Sequence, residues 1–273
     1  MPTTYAHYKL GEKVTEALET SAKATILTNR ELFDIGVHGP DIFFYHNPII
    51  KSGIVKMGID MHHAPGEVFF KRAAAVVRKN PSKEAHKAYL YGFLCHFALD
   101  VTCHGYIDEY IKRSGVGHYE IEAELDRRLL IKDGYNPVSR RLTGHLHATR
   151  ENAAVISDFW NEVNAKQVCQ TIGRMIICLN VLCAPSKLKR GVLFALMKLA
   201  GLYEPMHGLV INYTENPDCA ESTEWLIEHF DKAAELAIQL ITEYEVYLQN
   251  GGSLSETFSY DFESVKNGQV RIG

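Results

Sequence analysis

Five polar side chains recur at four-residue intervals within one stretch of the chain. His96, Asp100 and His104 form one series, and His118 and Glu122 form a second series after a glycine-containing break. Residues four apart lie on the same face of an α-helix, about one turn up the axis. The spacing therefore predicts two neighbouring helices, each of which carries a stripe of imidazole and carboxylate groups.

The first stripe lies in a strongly apolar segment that includes Phe93, Leu94 and Phe97. A single HxxxD pair is usually a surface pair or a core histidine with a satisfied hydrogen bond. A carboxylate in apolar surroundings is costly unless it is paired or binds a metal. Imidazoles and carboxylates are ligands of zinc and similar divalent ions. Three such groups in register, followed by an HxxxE pair, therefore favour a metal centre with more than one ion.

Composition limits the class of protein. The 273 residues are 46% hydrophobic and 23% charged, with a formal net charge of −4. This is typical of a soluble globular protein, and the absence of a basic bias predicts no stable nucleic-acid partner. Six cysteines without a CxxC pair favour reduced thiols. With no signal-peptide pattern and no apolar run of about 18 residues, we expect a cytoplasmic protein.

Helical periodicity dominates the chain, and strand signals are scarce. No repeat or linker divides it, so we predict one all-α domain over residues 1–273. Its ligand-bearing half is residues 1–135, and its helical half is residues 136–273. The predicted helices cover residues 5–29, 67–79, 81–112, 118–133, 150–163, 166–183 and 221–249.

Residues 34–66 lack a sustained period and are rich in glycine and proline, which predicts a long, mostly irregular loop. Loops of this length in compact domains are often functional. This loop contains Asp41, His62 and His63. Asp41 follows a Gly-Pro pair, so it is either a functional residue or the cap of a short helix that begins at Ile42.

We predict no functional residue in three further segments. Residues 187–203 have a basic start and an apolar body, which favours a buried core helix over contact with a membrane surface. The acidic and basic residues of 118–133, including Glu124 and Asp126, predict a solvated surface with salt bridges. His145 and His147 are two residues apart, and we expect both on the surface.

The order of the candidate ligands resembles the zinc-dependent phospholipase C family, which is similar in fold to the S1/P1-type nucleases. The family pattern is an early histidine, a loop aspartate, a loop histidine, HxxxD, a further histidine and HxxxE. The matching residues here are His7, Asp41, His62 or His63, His96 with Asp100, His104, and His118 with Glu122.

The resemblance implies an all-helical fold that holds two or three Zn2+ ions. By that resemblance, one zinc would be held by Asp41, His62 or His63, His96 and Asp100. Asp100 would bridge to a second zinc at His7. The third zinc would be held by His104, His118 and Glu122.

The implied activity is hydrolysis of a phosphodiester by a zinc-activated water, with Asp41 as the catalytic residue that orients or deprotonates that water. The expected partner is a phosphoester substrate, either a phospholipid or a nucleotide. Peripheral contact with a membrane stays open. The alternatives are a P1-type nuclease, a small-molecule phosphoesterase, and a non-catalytic zinc-binding helical protein.

Overall fold

The protein has an all-α architecture, as the sequence predicts. A computed structural model provides the coordinates. It describes residues 4–19, 21–47 and 52–272.

The amino-terminal helix predicted over residues 5–29 is two helices. Helix α1 spans Thr4–Ala17 and helix α2 spans Ser21–Thr28. Leu18 and Ala22, on either side of the break, are both buried. Because the apolar pattern continues across the break, periodicity alone could not reveal it.

The prediction of a mostly irregular loop over residues 34–66 is wrong. Helix α3 spans Arg30–Gly36, a 3₁₀ helix spans Gly39–Tyr45, and helix α4 spans Gly53–His62. The glycines and prolines punctuate these short elements. The side chain of Ser52 accepts a hydrogen bond from the backbone of α4 and caps its first turn.

Three helices follow, and two of them carry the polar stripes. Helix α5 spans Gly66–Lys79, α6 spans Lys83–Ser114 and α7 spans His118–Lys132. We predicted that α6 begins at Asn80 and Pro81, but its N-cap residue is Ser82.

The second half of the chain is also helical. The helix predicted over residues 150–163 ends at Ser157, and a turn then places Phe159 and Trp160 in the core. The remaining elements are α8 (Arg150–Ser157), α9 (Ala165–Leu182), α10 (Lys187–Leu199), α11 (Tyr203–Met206), α12 (Ala220–Asn250), 3₁₀ turns at His207–Leu209, Pro217–Cys219 and Glu256–Ser259, and the two-residue strands β1 (Val265–Lys266) and β2 (Gln269–Val270), which pair antiparallel.

Helix α6 runs through the centre of the core and packs against α3 on one side and α12 on the other. Gly36 of α3 and Gly92 of α6 lie where the two backbones meet. A β-carbon at Gly36 would collide with the carbonyl of Tyr89, and one at Gly92 with the carbonyl of Phe33. This close crossing brings the 3₁₀ helix after α3 against the polar stripe of α6.

The prediction that residues 187–203 form a buried core helix is wrong. On α10, Arg190 and Met197 are buried, whereas Leu188 is 79% exposed and Leu199 is 85% exposed. Among the described residues, no single helix is long and apolar enough to span a membrane. Helices α9 and α10 meet that criterion only as a pair, and the pair is bent by 117°.

Candidate metal centre

The polar stripe predicted on α6 is present and buried. His96, Asp100 and His104 occupy successive turns, and none is more than 2% exposed. Nε2 of His96 lies 3.0 Å from a carboxylate oxygen of Asp100, and Nε2 of His104 lies 4.0 Å from the other oxygen. The carboxylate of Asp100 is therefore placed between two imidazoles of its own helix.

Helix α1 adds His7 to this stripe. Nε2 of His7 lies 3.5 Å from Asp100, and the His7 ring stacks on the His96 ring with centroids 4.3 Å apart. His7, His96 and Asp100 each offer one ligand atom within 4.8 Å of the others, so the three could hold a metal ion. The structure thus brings together a first group of predicted ligands from two helices that are distant in sequence.

Asp126 fixes the helix that carries His7. Its two carboxylate oxygens accept hydrogen bonds from the backbone N–H groups of Tyr5 and Ala6, at 3.1 and 2.8 Å. Free N–H groups at a helix N-terminus favour an anionic acceptor. The prediction of a solvated face at Glu124 and Asp126 is wrong, because both are buried. Charge pattern could not distinguish a surface carboxylate from one that caps a distant helix.

A second group forms where the 3₁₀ helix and α4 meet α6. Nε2 of His62 lies 2.9 Å from a carboxylate oxygen of Asp41. Asp41, His62 and His96 also satisfy the distances for a shared ion. Asp41 lies within the first turn of its 3₁₀ helix, whose N-cap residue is His38, so it does not cap a helix that begins at Ile42.

The choice between the two adjacent loop histidines is resolved by their position at the end of α4. His62 is buried, and its Nδ1–H donates to the carbonyl of Gly58 at 2.7 Å, which leaves Nε2 facing Asp41. His63 is the exposed C-cap residue of α4. One residue further along a helix turns the side chain by about 100°, which carries His63 away from the centre. The inclusion of His63 among the predicted ligands is therefore corrected.

Gly39 makes the approach of these two groups possible. Its φ of +48° lies in the left-handed region that favours glycine. A β-carbon there would collide with the ring of His96. The glycine that the sequence marks only as a turn residue therefore lets the backbone before Asp41 lie directly against a predicted ligand.

The third group joins α6 to α7. Nε2 of His118 lies 3.2 Å from a carboxylate oxygen of Glu122, and Nε2 of His104 lies 3.6 Å from the same oxygen. These three residues also could hold an ion. The side chain of His118 is 27% exposed, whereas those of His104 and Glu122 are 2% exposed. This group therefore borders solvent on one side.

The carboxylates of the centre are held ionised by the imidazoles around them. Burial alone would raise the pKa of Asp100, but His96 and His104 lower it below its usual range. Burial likewise opposes ionisation of Glu122, and His118 and His104 lower its pKa to about 2. Burial and the neighbouring His96 lower the pKa of His7 to about 4, so its imidazole is neutral at pH 7. Against the effect of burial, Asp100 and Glu122 raise the pKa of His104 well above its usual value, so a metal ion would have to displace a proton there, because neutral imidazoles and ionised carboxylates are the forms that bind metal.

Hydrogen bonding in the cluster fits a metal ion. Among the described residues, both ring nitrogens of His7 and Nδ1 of His96 are buried without a hydrogen-bond partner. Such groups are costly unless something else satisfies them. Nδ1–H of His104 donates to the carbonyl of Phe262 at 2.7 Å, as Nδ1–H of His62 does to Gly58. Metal-binding histidines are typically held by such bonds, which leave the other nitrogen available.

Residues 262–264 also support the cluster, a role that no sequence pattern predicted. Phe262 is fully buried, and its ring lies 5.6 Å from His62 and 5.9 Å from His96, centroid to centroid. The hydroxyl of Ser264 accepts from the backbone N–H of Gly105 at 3.1 Å. Residues far from the ligands in sequence therefore hold α6 and its histidines in place.

One histidine predicted on the surface has a structural partner near the centre. Nε2 of His145 lies 2.8 Å from Nε2 of His38, and the His145 ring stacks on Tyr8. His38 is buried close to the first two groups. His147 is exposed, as predicted. A two-residue spacing could not show that a distant buried histidine would bind one member of the pair.

The family comparison agrees with this geometry. Residues 6–172, more than half of the chain, match the model of the family described as zinc dependent phospholipase C. The comparisons with curated proteins and with solved structures found no match. The matched range contains all three groups of candidate ligands. The chain belongs to the zinc-dependent phospholipase C family.

Proposed function

We propose that this protein is a zinc-dependent phosphodiester hydrolase of the phospholipase C type. The observation that carries the proposal is the convergence of three overlapping groups of imidazole and carboxylate side chains along α6. Cysteine is absent from these groups, whereas structural zinc sites are usually closed and rich in cysteine. The exposed edge at His118 leaves one side of the centre open to water and substrate.

We assign the ions to the residues as follows. His7 and Asp100 would hold one ion, and Asp41, His62 and His96 would hold a second. His104, His118 and Glu122 would hold a third. Bound zinc would supply Lewis-acid activation of water and would neutralise charge on the phosphoryl oxygens.

The residues of the chain then have distinct tasks. The Asp41 carboxylate orients the attacking water. Because the pKa of Asp41 is lowered, the carboxylate is ionised and is better suited to accept a hydrogen bond from the water than to keep a proton taken from it. Nε2 of His62, 2.9 Å from a carboxylate oxygen of Asp41, holds that carboxylate in place. In the overall reaction, the water oxygen forms a bond to phosphorus and releases a proton to solvent, the bond to the alcohol oxygen breaks, and the leaving alkoxide takes a proton from solvent.

A polar cavity supports an anionic substrate. It has a volume of about 500 Å³ and is lined by Arg140, Arg141 and His145, and also by Glu12 and by Asp34, which pairs with Arg30 at 2.7 Å. Tyr8, which follows His7 in α1, also lines it. Arginine guanidinium groups match the planar, bidentate geometry of phosphate. The cavity therefore offers cationic groups beside the helix that carries a predicted ligand.

The experiment measures zinc per chain and hydrolysis of three substrates by the full chain. The substrates are short-chain phosphatidylcholine, a single-stranded oligonucleotide and p-nitrophenyl phosphate. We expect phosphocholine release by the zinc-loaded parent. Asp100→Asn should lose more than about 100-fold in activity and also lose bound zinc. Asp108→Asn, the same change on the same helix outside the three groups, is the control and should behave as the parent.

Three results would count against the proposal. If Asp100→Asn keeps the zinc content and rate of the parent, the assignment of Asp100 is wrong. Cleavage of the oligonucleotide alone would show that the substrate is a nucleic acid and not a lipid, and would not contradict the assignment of the metal ligands. Full zinc loading without hydrolysis of any of the three substrates would reject an enzyme of this class and favour a non-catalytic zinc-binding protein.

A further inference from the structure

Helix α10 carries an apolar stripe on its solvent-facing side. Leu188, Val192, Leu196 and Leu199 are 79%, 53%, 58% and 85% exposed. Leu199 and Leu188 are the two most exposed large apolar side chains among the described residues. At about 100° per residue, all four lie within an arc of roughly 80°, and they extend about 17 Å along the axis.

The opposite side of α10 already fixes the helix to the protein. Met197 is buried in a small cluster with Ala184 and Val210, and the guanidinium of Arg190 donates to the carbonyl of Ile211 at 2.6 Å. The outer stripe is therefore not required for packing within the chain. Exposed apolar patches of this kind mark interaction sites.

Cations flank the stripe on both sides. At about 100° per residue, Lys189 lies about 20° beyond one edge of the stripe, and Lys198 and Lys187 lie about 80° and 100° beyond the other edge. The three lysines are exposed. With Arg190, α10 carries four cations and no acidic residue, in a chain whose net charge is −4. Nζ of Lys189 already donates to the carbonyls of Asn180 and Cys183 at 2.9 and 2.6 Å. Lys187 lies in the first turn, where the helix dipole disfavours a cation, so an external anionic partner would offset that cost.

This pattern fits an anionic lipid surface. An apolar stripe bordered by lysines is the arrangement of helices that lie in the interface of a membrane. A second copy of the chain is a poor occupant, because a two-fold contact between α10 helices would bring together six exposed lysines, three from each copy.

We propose that the outer face of α10 docks this protein on the surface of a membrane that contains anionic phospholipid. Leu188, Val192, Leu196 and Leu199 enter the boundary between head groups and acyl chains, and Lys187, Lys189 and Lys198 contact lipid phosphates. Docking does not depend on catalysis. It remains measurable if the enzymatic proposal fails.

The test is co-sedimentation of the full chain with vesicles of phosphatidylcholine, with and without phosphatidylserine. We expect binding to the vesicles that contain phosphatidylserine, and binding that weakens with added salt. The Val192→Ser/Leu196→Ser variant should lose about tenfold or more in vesicle affinity. The control Leu27→Ser/Val68→Ser removes two apolar side chains that are 58% and 59% exposed elsewhere, and should bind as the parent.

A charge variant tests the second half of the proposal. Lys187→Gln/Lys198→Gln should lose about fivefold in affinity for each lysine on anionic vesicles. Lys79→Gln/Lys83→Gln, at two exposed lysines outside α10, is the control. Circular dichroism and thermal melting confirm that each variant is folded. These substitutions lie on the surface, so we expect no loss of structure.

Three outcomes would overturn the proposal. One is a parent protein that does not bind anionic vesicles. Another is a Val192→Ser/Leu196→Ser variant that binds them as well as the parent does. The third is a dimer by analytical ultracentrifugation that this variant abolishes, without vesicle binding by the parent. That result would assign the face to a second copy of the chain.

Discussion

Asp126→Asn tests whether the cap on α1 holds His7 in the metal centre. The two oxygens of Asp126 accept from the backbone N–H groups of Tyr5 and Ala6 at 3.1 and 2.8 Å. Asparagine keeps one acceptor oxygen and turns an amide group towards the other N–H. The buried N–H that loses its acceptor destabilises the folded protein, because it has also given up its hydrogen bond to water.

The magnitude follows from the lost acceptor. Burial raises the pKa of Asp126 well above its usual range, so the change in charge contributes little. A buried N–H left without its acceptor costs about 1–3 kcal/mol, and we therefore expect the free energy of unfolding of zinc-free Asp126→Asn to fall by about that amount. Zinc affinity at the site of His7 should fall by about 10–100-fold, as for other residues that orient a ligand.

The assay is urea unfolding in excess chelator, followed by zinc titration of the folded protein. Asp133→Asn is the matched control. Asp133 also joins α7 to α1, through the Tyr5 hydroxyl at 2.5 Å and Lys9 at 3.0 Å, but its side chain is 22% exposed. Its loss should cost less than about 1 kcal/mol. Equal costs for the two variants, or unchanged zinc affinity in Asp126→Asn, would refute the positioning role of Asp126.

Three further outcomes are expected. Gly39→Ala should lose zinc and about 2 kcal/mol or more of stability, measured by metal analysis and urea unfolding, because φ is positive and His96 occupies the space. His62→Gln should reduce bound zinc, whereas His63→Gln should not; equal zinc contents would contradict this. Burial lowers the pKa of His145 to about 3. As pH falls from about 6.5 to 4, the parent should therefore lose stability relative to His145→Gln, by up to about 1.4 kcal/mol per pH unit; parallel stability curves would contradict this.

The sign of the pH effect follows from the direction of the pKa shift. The pKa of His145 is lower in the folded protein than in the unfolded chain, where it is about 6.5. Between the two values, the unfolded chain binds a proton that the folded protein excludes. The stabilising contribution is therefore complete above about pH 6.5 and is lost as the pH falls towards the folded value.

The candidate ligands were predictable because helical spacing carries three-dimensional information. The intervals among His96, Asp100 and His104 fix one face of α6 whatever the surrounding fold is. His118 and Glu122 follow the same rule on α7. His7 and Asp41 had no such local signal, and only the resemblance to a family selected them.

The supports of the centre were not predictable from the sequence, because they depend on contacts between distant segments. Nothing near Asp126 indicates that it caps α1, since a carboxylate on a charged helix face has the same local pattern in either role. The prediction that α10 is a buried core helix was wrong for a related reason. Its apolar residues cover the whole circumference, so their pattern could not show which half would face the core.

The hydrogen bond from His104 to the carbonyl of Phe262 has a consequence for biogenesis. Translation proceeds from the amino terminus, so His104 leaves the ribosome long before its acceptor has been made. During that interval, the imidazole can adopt either tautomer, and α6 lacks the tail that fastens it. The part of the cluster built on His104 gains this hydrogen bond only after synthesis has passed residue 262, and we therefore expect metal loading there to be completed at the end of folding.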